Sequence, residues 1–206
     1  INYSLQKENE SIWIAQKEGR ANDGNDFTDE GVLKMLYLDQ RKTSSLDNWI
    51  KAVNLTPVVI SYEYDPLDTV KAKGWDYQKS WTTEKINKDN LVQMASGIFE
   101  YKGRVHLHIC EPISQQVDNT KNLADLIQKE IITNYHIWPS TYTAASLLSE
   151  KQKSSFVSNP VSQNSEEVRK FKERFMSLEG KDLDEFLMIY ARPLHNKEKA
   201  SLSTGP

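Results

Sequence analysis

Several groups of residues in this chain are of types that do chemistry, at spacings that could bring them together. The first is Glu18-Gly19-Arg20, within the stretch SIWIAQKEGRANDGND over 11–26. A guanidinium is a planar fork that donates two parallel hydrogen bonds, so Arg20 suits a phosphate. Glu18 can accept from a ligand hydroxyl or hold Arg20 in place, and Gly19 lets the backbone approach a ligand or take a positive φ. The plainer reading of the same residues is a solvated loop with a surface ion pair. The second group is His106, His108 and Cys110, which share one face at the two-residue period of a strand. Zinc accepts such ligands, but no fourth stands near in the sequence, and packing in a half-covered strand is the simpler account. Glu63, Asp65 and Asp68 form an acidic cluster that either shapes a site or caps the next helix, with capping the safer reading. Trp75, Tyr77 and Trp81, interleaved with Lys71, Lys73, Lys79 and Lys85, are either aromatics packed on a core or a face that touches acidic lipid. Asp23, Asn25 and Asp29 lack the glycine and terminal glutamate of a calcium loop and are set aside.

The elements that must position these residues follow from pattern. Tyr3–Lys7 predicts the last turns of a helix. Ser11–Ala15 is β-branched and aromatic and predicts a strand, and 16–27 is a polar loop. Thr28 offers an N-cap hydroxyl, with Asp29 and Glu30 in the first turn, and Val32, Leu33, Leu36 and Tyr37 recur at helical spacing. A second helix is predicted over Leu46–Val53, capped by Ser45. Thr56–Tyr62 is apolar on both faces, which predicts a strand covered on both sides, and Pro57 sits at its start where a missing N–H is tolerated. Helices are predicted over Leu67–Lys73 and Lys88–Phe99, the latter with Leu91, Met94, Ala95 and Ile98 on one side. Arg104–Cys110 predicts a strand, and Thr120–Asn134 a helix with Leu123, Leu126, Ile127 and Ile131 inward.

This alternation predicts an α/β fold: a mixed, mostly parallel sheet flanked by helices, with a C-terminal helical hairpin. The main domain spans 1–148. Residues 149–163, rich in Ser, Asn, Gln and Lys, read as a linker, and 164–206 as the hairpin tail. In the tail, Asn164 and Asp182 are candidate caps with Glu167 and Glu185 three residues on, Gly180 punctuates, and Val168, Phe171, Phe175, Leu178 and Leu183, Phe186, Leu187, Tyr190 form the apolar faces.

The chain is 38% hydrophobic and 27% charged over 206 residues, enough for a core and unlike a disordered segment. A net charge of −3 argues against a broad nucleic-acid surface, so no nucleic-acid partner is expected. One cysteine, Cys110, excludes an intrachain disulfide framework and fits a reducing compartment. No apolar run approaches the roughly 18 residues that span a bilayer.

Glu18-Gly19-Arg20, with VLKML after it and TPVVISYEYDP beyond, resembles the glycerolipid acyltransferases, and more narrowly their bacterial 1-acyl-sn-glycerol-3-phosphate acyltransferase branch. The resemblance covers about Ser11–Pro112. It implies an acyltransferase domain of the glycerol-3-phosphate acyltransferase type, represented in part. Acyl groups would pass from acyl-CoA or acyl carrier protein to a glycerol-phosphate or lysophospholipid hydroxyl at a membrane surface. Glu18, Gly19 and Arg20 would bind the acceptor phosphate, with Pro57 of the Thr56-Pro57-Val58 block shaping the site. It implies no metal or prosthetic group, and a place on the cytoplasmic side, peripheral to the inner face of the cell membrane. The family's proton acceptor is the histidine of an H-x-x-x-x-D block, its aspartate orienting the ring. Here the histidines are His106, His108, His136 and His195, and none has an aspartate five residues on; His106 has Glu111. The resemblance therefore implies that the catalytic block precedes Ile1, that no residue of this chain is catalytic, and that the chain alone does not turn over. A non-catalytic module binding anionic lipid, or an acyltransferase with a non-glycerol lipid acceptor, are the alternatives.

Overall fold

A computed structural model describes residues 1–16, 24–25, 27–74, 80–148 and 166–203. The elements in chain order are α1 (Asn2–Gln6), α2 (Glu30–Tyr37), α3 (Leu46–Val53), β1 (Val58–Tyr62), α4 (Asp68–Lys73), α5 (Thr83–Phe99), β2 (Val105–Ile109), α6 (Thr120–Asn134), α7 (Pro139–Leu147), α8 (Glu166–Arg174) and α9 (Gly180–Ser203).

The expected mostly parallel α/β sheet is absent. Of the described residues 58% are helical, and among them β1 and β2 pair only with each other, antiparallel. Cys110 N–H donates to the Pro57 carbonyl at one end of the ladder and Glu63 N–H to the Arg104 carbonyl at the other. A parallel sheet needs each strand to find same-direction neighbours through crossovers. Here the α4–α5 connection returns the chain in the opposite sense, and among the described residues no third strand joins. Ser11–Ala15, expected as a strand, joins no ladder among the described residues, and Ile12, Trp13 and Ile14 are exposed. Strand propensity expresses packing of such side chains against a partner strand. Cover on both faces of β1 is likewise not found. Val59 and Ser61 are buried on one face, whereas Tyr62 and the β2 residues Val105, Leu107 and Ile109 are exposed on the other.

Two compact units make up the chain. The first contains 1–16, 27–59 and 107–135. Its core is Leu33 of α2, Leu46, Trp49 and Ile50 of α3, Ile113, and Leu123, Ala124 and Ile127 of α6. Helix α3 forms where its local signals say it should: the Ser45 hydroxyl accepts from Asn48 N–H, and Asn54 closes the helix in the left-handed conformation at φ +51°. Helix α2 starts one residue later than Thr28 suggests. Asp29 is the cap, accepting from Gly31 N–H at 2.6 Å, and the Thr28 hydroxyl bonds Gln16 instead.

The second unit contains 24–25, 60–74, 80–106, 136–148 and 166–203. Its core is built by α7, α8 and α9, with Ala144, Ala145, Phe171, Phe186, Leu187, Tyr190 and Ala191 at its centre. Helix α9 lies mainly along α7 and α4, and meets α8 through aromatic rings. Gly180 opens α9 instead of standing between helices, and Asp182 falls in the first turn. Pro193 lies inside α9, where its missing N–H frees the carbonyl four residues back, that of Ile189. Gly24 approaches that carbonyl so closely, at φ +71°, that an added Cβ would overlap the oxygen. Only glycine fits there.

Candidate functional site

Glu18, Gly19 and Arg20 lie outside the described residues. Among the described residues on either side, Asp29 N–H donates to the Gln16 carbonyl at 2.9 Å, Thr28 Oγ1 to Gln16 Oε1 at 3.1 Å, and Thr28 N–H to Gln128 Oε1 of α6 at 2.7 Å. Pro57 is buried directly before β1 and uses its carbonyl in the ladder, which needs no N–H.

The acidic cluster beyond β1, in the second unit, is spent on structure. Glu63 takes a fork from Arg104, Nε to Oε2 at 3.1 Å and Nη2 to Oε1 at 2.8 Å, and also accepts Arg104 N–H. Burial pushes the Glu63 carboxyl up, but these bonds outweigh it and hold the group below its usual range. Gly103, at φ +66°, makes room for this clamp: an added Cβ would sit 2.6 Å from Glu63 Oε2. Arg104 also reaches Glu167 of α8 at 2.8 Å. Asp65 accepts Leu67 N–H at 2.8 Å and Lys71 Nζ at 2.5 Å, so this carboxylate closes the turn leading into α4, which itself has no side-chain cap. Asp68 is buried and accepts from Thr69 N–H, Arg174 Nε and Tyr190 Oη.

The strand residues His106 and His108 alternate with the exposed ones, as the two-residue period requires, and Cys110 is buried just beyond the strand. Among the described residues no three His, Cys, Asp or Glu side chains converge on a metal position. Asn134 Nδ2 lies 3.7 Å from Cys110 Sγ, and burial raises that thiol's pKa. Trp75, Tyr77 and Lys79 lie outside the described residues, while Lys85 sits over the Trp81 ring at 3.8 Å and Lys71 is held by Asp65.

Two features of the second unit escape a linear reading. One is an aromatic stack: His106 on His136 at 4.8 Å, His136 edge-on to Trp138 at 4.2 Å, and Arg104 over Trp138 at 5.1 Å. Burial, then the nearby positive charge of His106, Lys197 and Arg104, holds the His136 imidazole below its ordinary value. A histidine depressed on folding costs nothing while neutral in both states. As pH falls below about 6.5 the unfolded chain takes the proton first and the fold loses stability. We expect the urea midpoint to drop between pH 7.5 and 5.5, and the drop to shrink in His136→Gln; an unchanged pH slope in that variant would count against this assignment.

The other is a cleft of about 300 Å³ lined by Tyr64, Tyr101, Lys170, Glu173 and Arg174. Tyr64 follows β1 and the cations belong to α8, so no local spacing joins them. The only sequence hint was the amphipathic pattern that put Phe171 inward and hence Lys170 and Arg174 toward its flanks. Comparison with protein-family models, curated proteins and solved structures finds no match to this chain.

Proposed function

We propose that this chain is part of an O-acyltransferase acting on a phosphorylated glycerol or lysophospholipid, with an acyl thioester as donor. Arg20 grips the acceptor phosphate, Glu18 orients it or the acceptor hydroxyl, and Gly19 permits the close approach. One observation carries the reading: Glu18-Gly19-Arg20 and the Thr56-Pro57-Val58 block occur together, in the family's order. The parallel sheet is no part of the reading.

An alcohol attacks a thioester only as its proton leaves, and in the family the sequence resembles the acceptor of that proton is a histidine oriented by an aspartate. The sequence contains no H-x-x-x-x-D, so this chain supplies acceptor binding and no general base. That same observation favours the second reading, a module that binds anionic lipid without catalysis. Among the described residues no helix is long and apolar enough to cross a membrane. On either reading the chain meets lipid peripherally, at the inner face of the cell membrane.

Arg20→Ala separates these readings from a decorative loop. A charge-assisted fork to phosphate is worth enough that lysophosphatidate affinity should fall at least about tenfold, measured by calorimetry. Acyl-CoA affinity should hold. Equal acceptor affinity in the variant would remove the basis of the proposal.

A further inference from the structure

We propose that the outward side of α5 is the contact surface of a homodimer, in which two copies of this chain meet antiparallel across a two-fold axis near Met94 and Ala95. Helix α5 is turned the wrong way for a lone surface helix. Its buried residue is Gln93, whose Nε2 donates to Asp89 Oδ2 at 2.5 Å. Leu91, Val92, Met94, Ile98 and Phe99 are each between 52% and 84% exposed, and Ala95 between them is exposed too. In a monomer the apolar stripe of such a helix faces the core; here, among the described residues, no element covers it. A second copy fits this side in three respects. The first is area. Leu91, Val92, Met94, Ile98, Phe99 and the following Tyr101 leave on the order of 800 Å² open, about what each partner of a standard protein–protein interface buries. The second is symmetry. A two-fold contact requires that where one residue meets another, the second meets the first again across the axis. The stripe Leu91, Met94, Ala95, Ile98 has spacings of three, one and three, which read the same from either end. Two antiparallel helices therefore set Leu91 on Ile98 of the partner subunit and the large Met94 on Ala95 of the partner subunit, each pair twice. The third is charge. A helix that lies on an anionic bilayer carries a collar of Lys and Arg beside its apolar side. By helical spacing the charges that share the outward side of α5 are Glu84 and Lys88, which cancel. Lys85 sits over the Trp81 ring at 3.8 Å, and Lys102 Nζ donates to the carbonyls of Ile98 and Glu100 at 2.9 Å. The apolar side thus lacks the basic collar of a lipid-bound helix. The dimer neither requires nor implies acyl transfer.

The test is sedimentation velocity of the 206-residue chain from about 1 to about 100 µM, which brackets the weak end of interfaces this size. A species of twice the 23.7 kDa chain mass is expected to grow with concentration. Leu91→Lys and Ile98→Glu each set an unpaired charge against an apolar side chain, twice per dimer. Each should raise the dissociation constant at least about a hundredfold. Mixed in equal amounts, the two variants should recover dimer, because the introduced charges pair at one contact while the other keeps Leu91 on Ile98 of the partner subunit. Met176→Lys, at an exposed apolar residue outside α5, should leave the constant unchanged. All these side chains are exposed, so the far-UV circular dichroism of the variants should match the parent, and loss of dimer is then distinct from loss of fold. A chain that stays monomeric throughout the range overturns the proposal. So does a dimer that Leu91→Lys and Ile98→Glu leave intact, an equal loss in Met176→Lys, or a mixture that fails to recover. Flotation of a monomeric chain with vesicles of phosphatidylglycerol in phosphatidylcholine, abolished by Ile98→Glu, overturns it in favour of a lipid surface.

Discussion

Replacing Asp68 by alanine is expected to lower the stability of the second unit by about 3–5 kcal/mol. The residue is 2% exposed and its carboxylate is the meeting point of three elements. Oδ1 accepts Thr69 N–H at 2.7 Å within α4; Oδ2 accepts Arg174 Nε of α8 at 2.7 Å and Tyr190 Oη of α9 at 2.6 Å. The Tyr190 oxygen in turn accepts Asp65 N–H at 2.9 Å, so the network continues to the strand exit. Burial, then the adjacent Asp68 charge, raises the Tyr190 phenol well above its usual pKa, so at neutral pH it is a donor. Arg174 stays charged as well: burial disfavours its cation, but the Asp68 bond, the Asp68 charge and Tyr190 together more than offset that. Truncating the carboxylate strands a buried phenol and a cation only a quarter exposed, and such orphaning costs more than the intact pair contributes. The effects should therefore order as Asp68→Ala, then Arg174→Ala, then Tyr190→Phe, read as shifts in urea midpoint at constant slope. An Asp68→Leu/Arg174→Met double variant removes both charges and should cost clearly less than the two single losses added. Additive losses, or an Asp68→Ala midpoint within experimental scatter of the parent, would show that the network is solvent-exposed in practice.

The same network shows where sequence reading stops. Asp68 and Arg174 are 106 positions apart, and nothing local announces that they meet. Asp65, by contrast, caps a turn two residues on, and its role was legible. Helices α3 and α6 were also legible end to end, because a capping side chain and an inward apolar face coincide in each. Periodicity misled at α5. Leu91, Met94 and Ile98 recur as a packing face should, yet they are 66%, 52% and 68% exposed, while Gln93 is buried. A pattern fixes which residues share a side, not whether another element covers it. Helix α7 failed in the opposite way. Ser140, Thr141 and Thr143 are buried beside Ala144 and Ala145, so small polar residues form an inward face without a hydrophobic stripe. Ser140 Oγ satisfies itself on the Glu63 carbonyl at 2.7 Å, which makes that burial affordable. The available signal was Pro139 at the first helical position. Glu18, Gly19 and Arg20, named from the sequence, lie outside the described residues.

Phe171→Ala should cost the second unit a further amount of similar size, about 3–5 kcal/mol. The ring is fully buried and touches Phe175 at 5.5 Å, Phe186 at 5.8 Å and Tyr190 at 4.8 Å, two of these edge-to-face. Such pairs add to the value of plain burial. Helix α8 has nine residues, too few to persist on propensity, and its outer face is an exposed Glu166–Arg169–Glu173 network of small net worth. Phe171 is therefore what fastens α8, and with it Lys170 and Arg174, to the rest of the unit. Phe171→Leu, which keeps most of the volume, should cost much less than the alanine variant. Because Tyr190 belongs both to this aromatic cluster and to the Asp68 network, the two losses should not add. A shared partner produces coupling of roughly 0.5–3 kcal/mol, so the Asp68→Ala/Phe171→Ala double variant should be more stable than the sum of its parents' deficits implies. Additivity to within about 0.5 kcal/mol would mean that Tyr190 transmits nothing, and that the ring cluster and the buried carboxylate hold the helices independently.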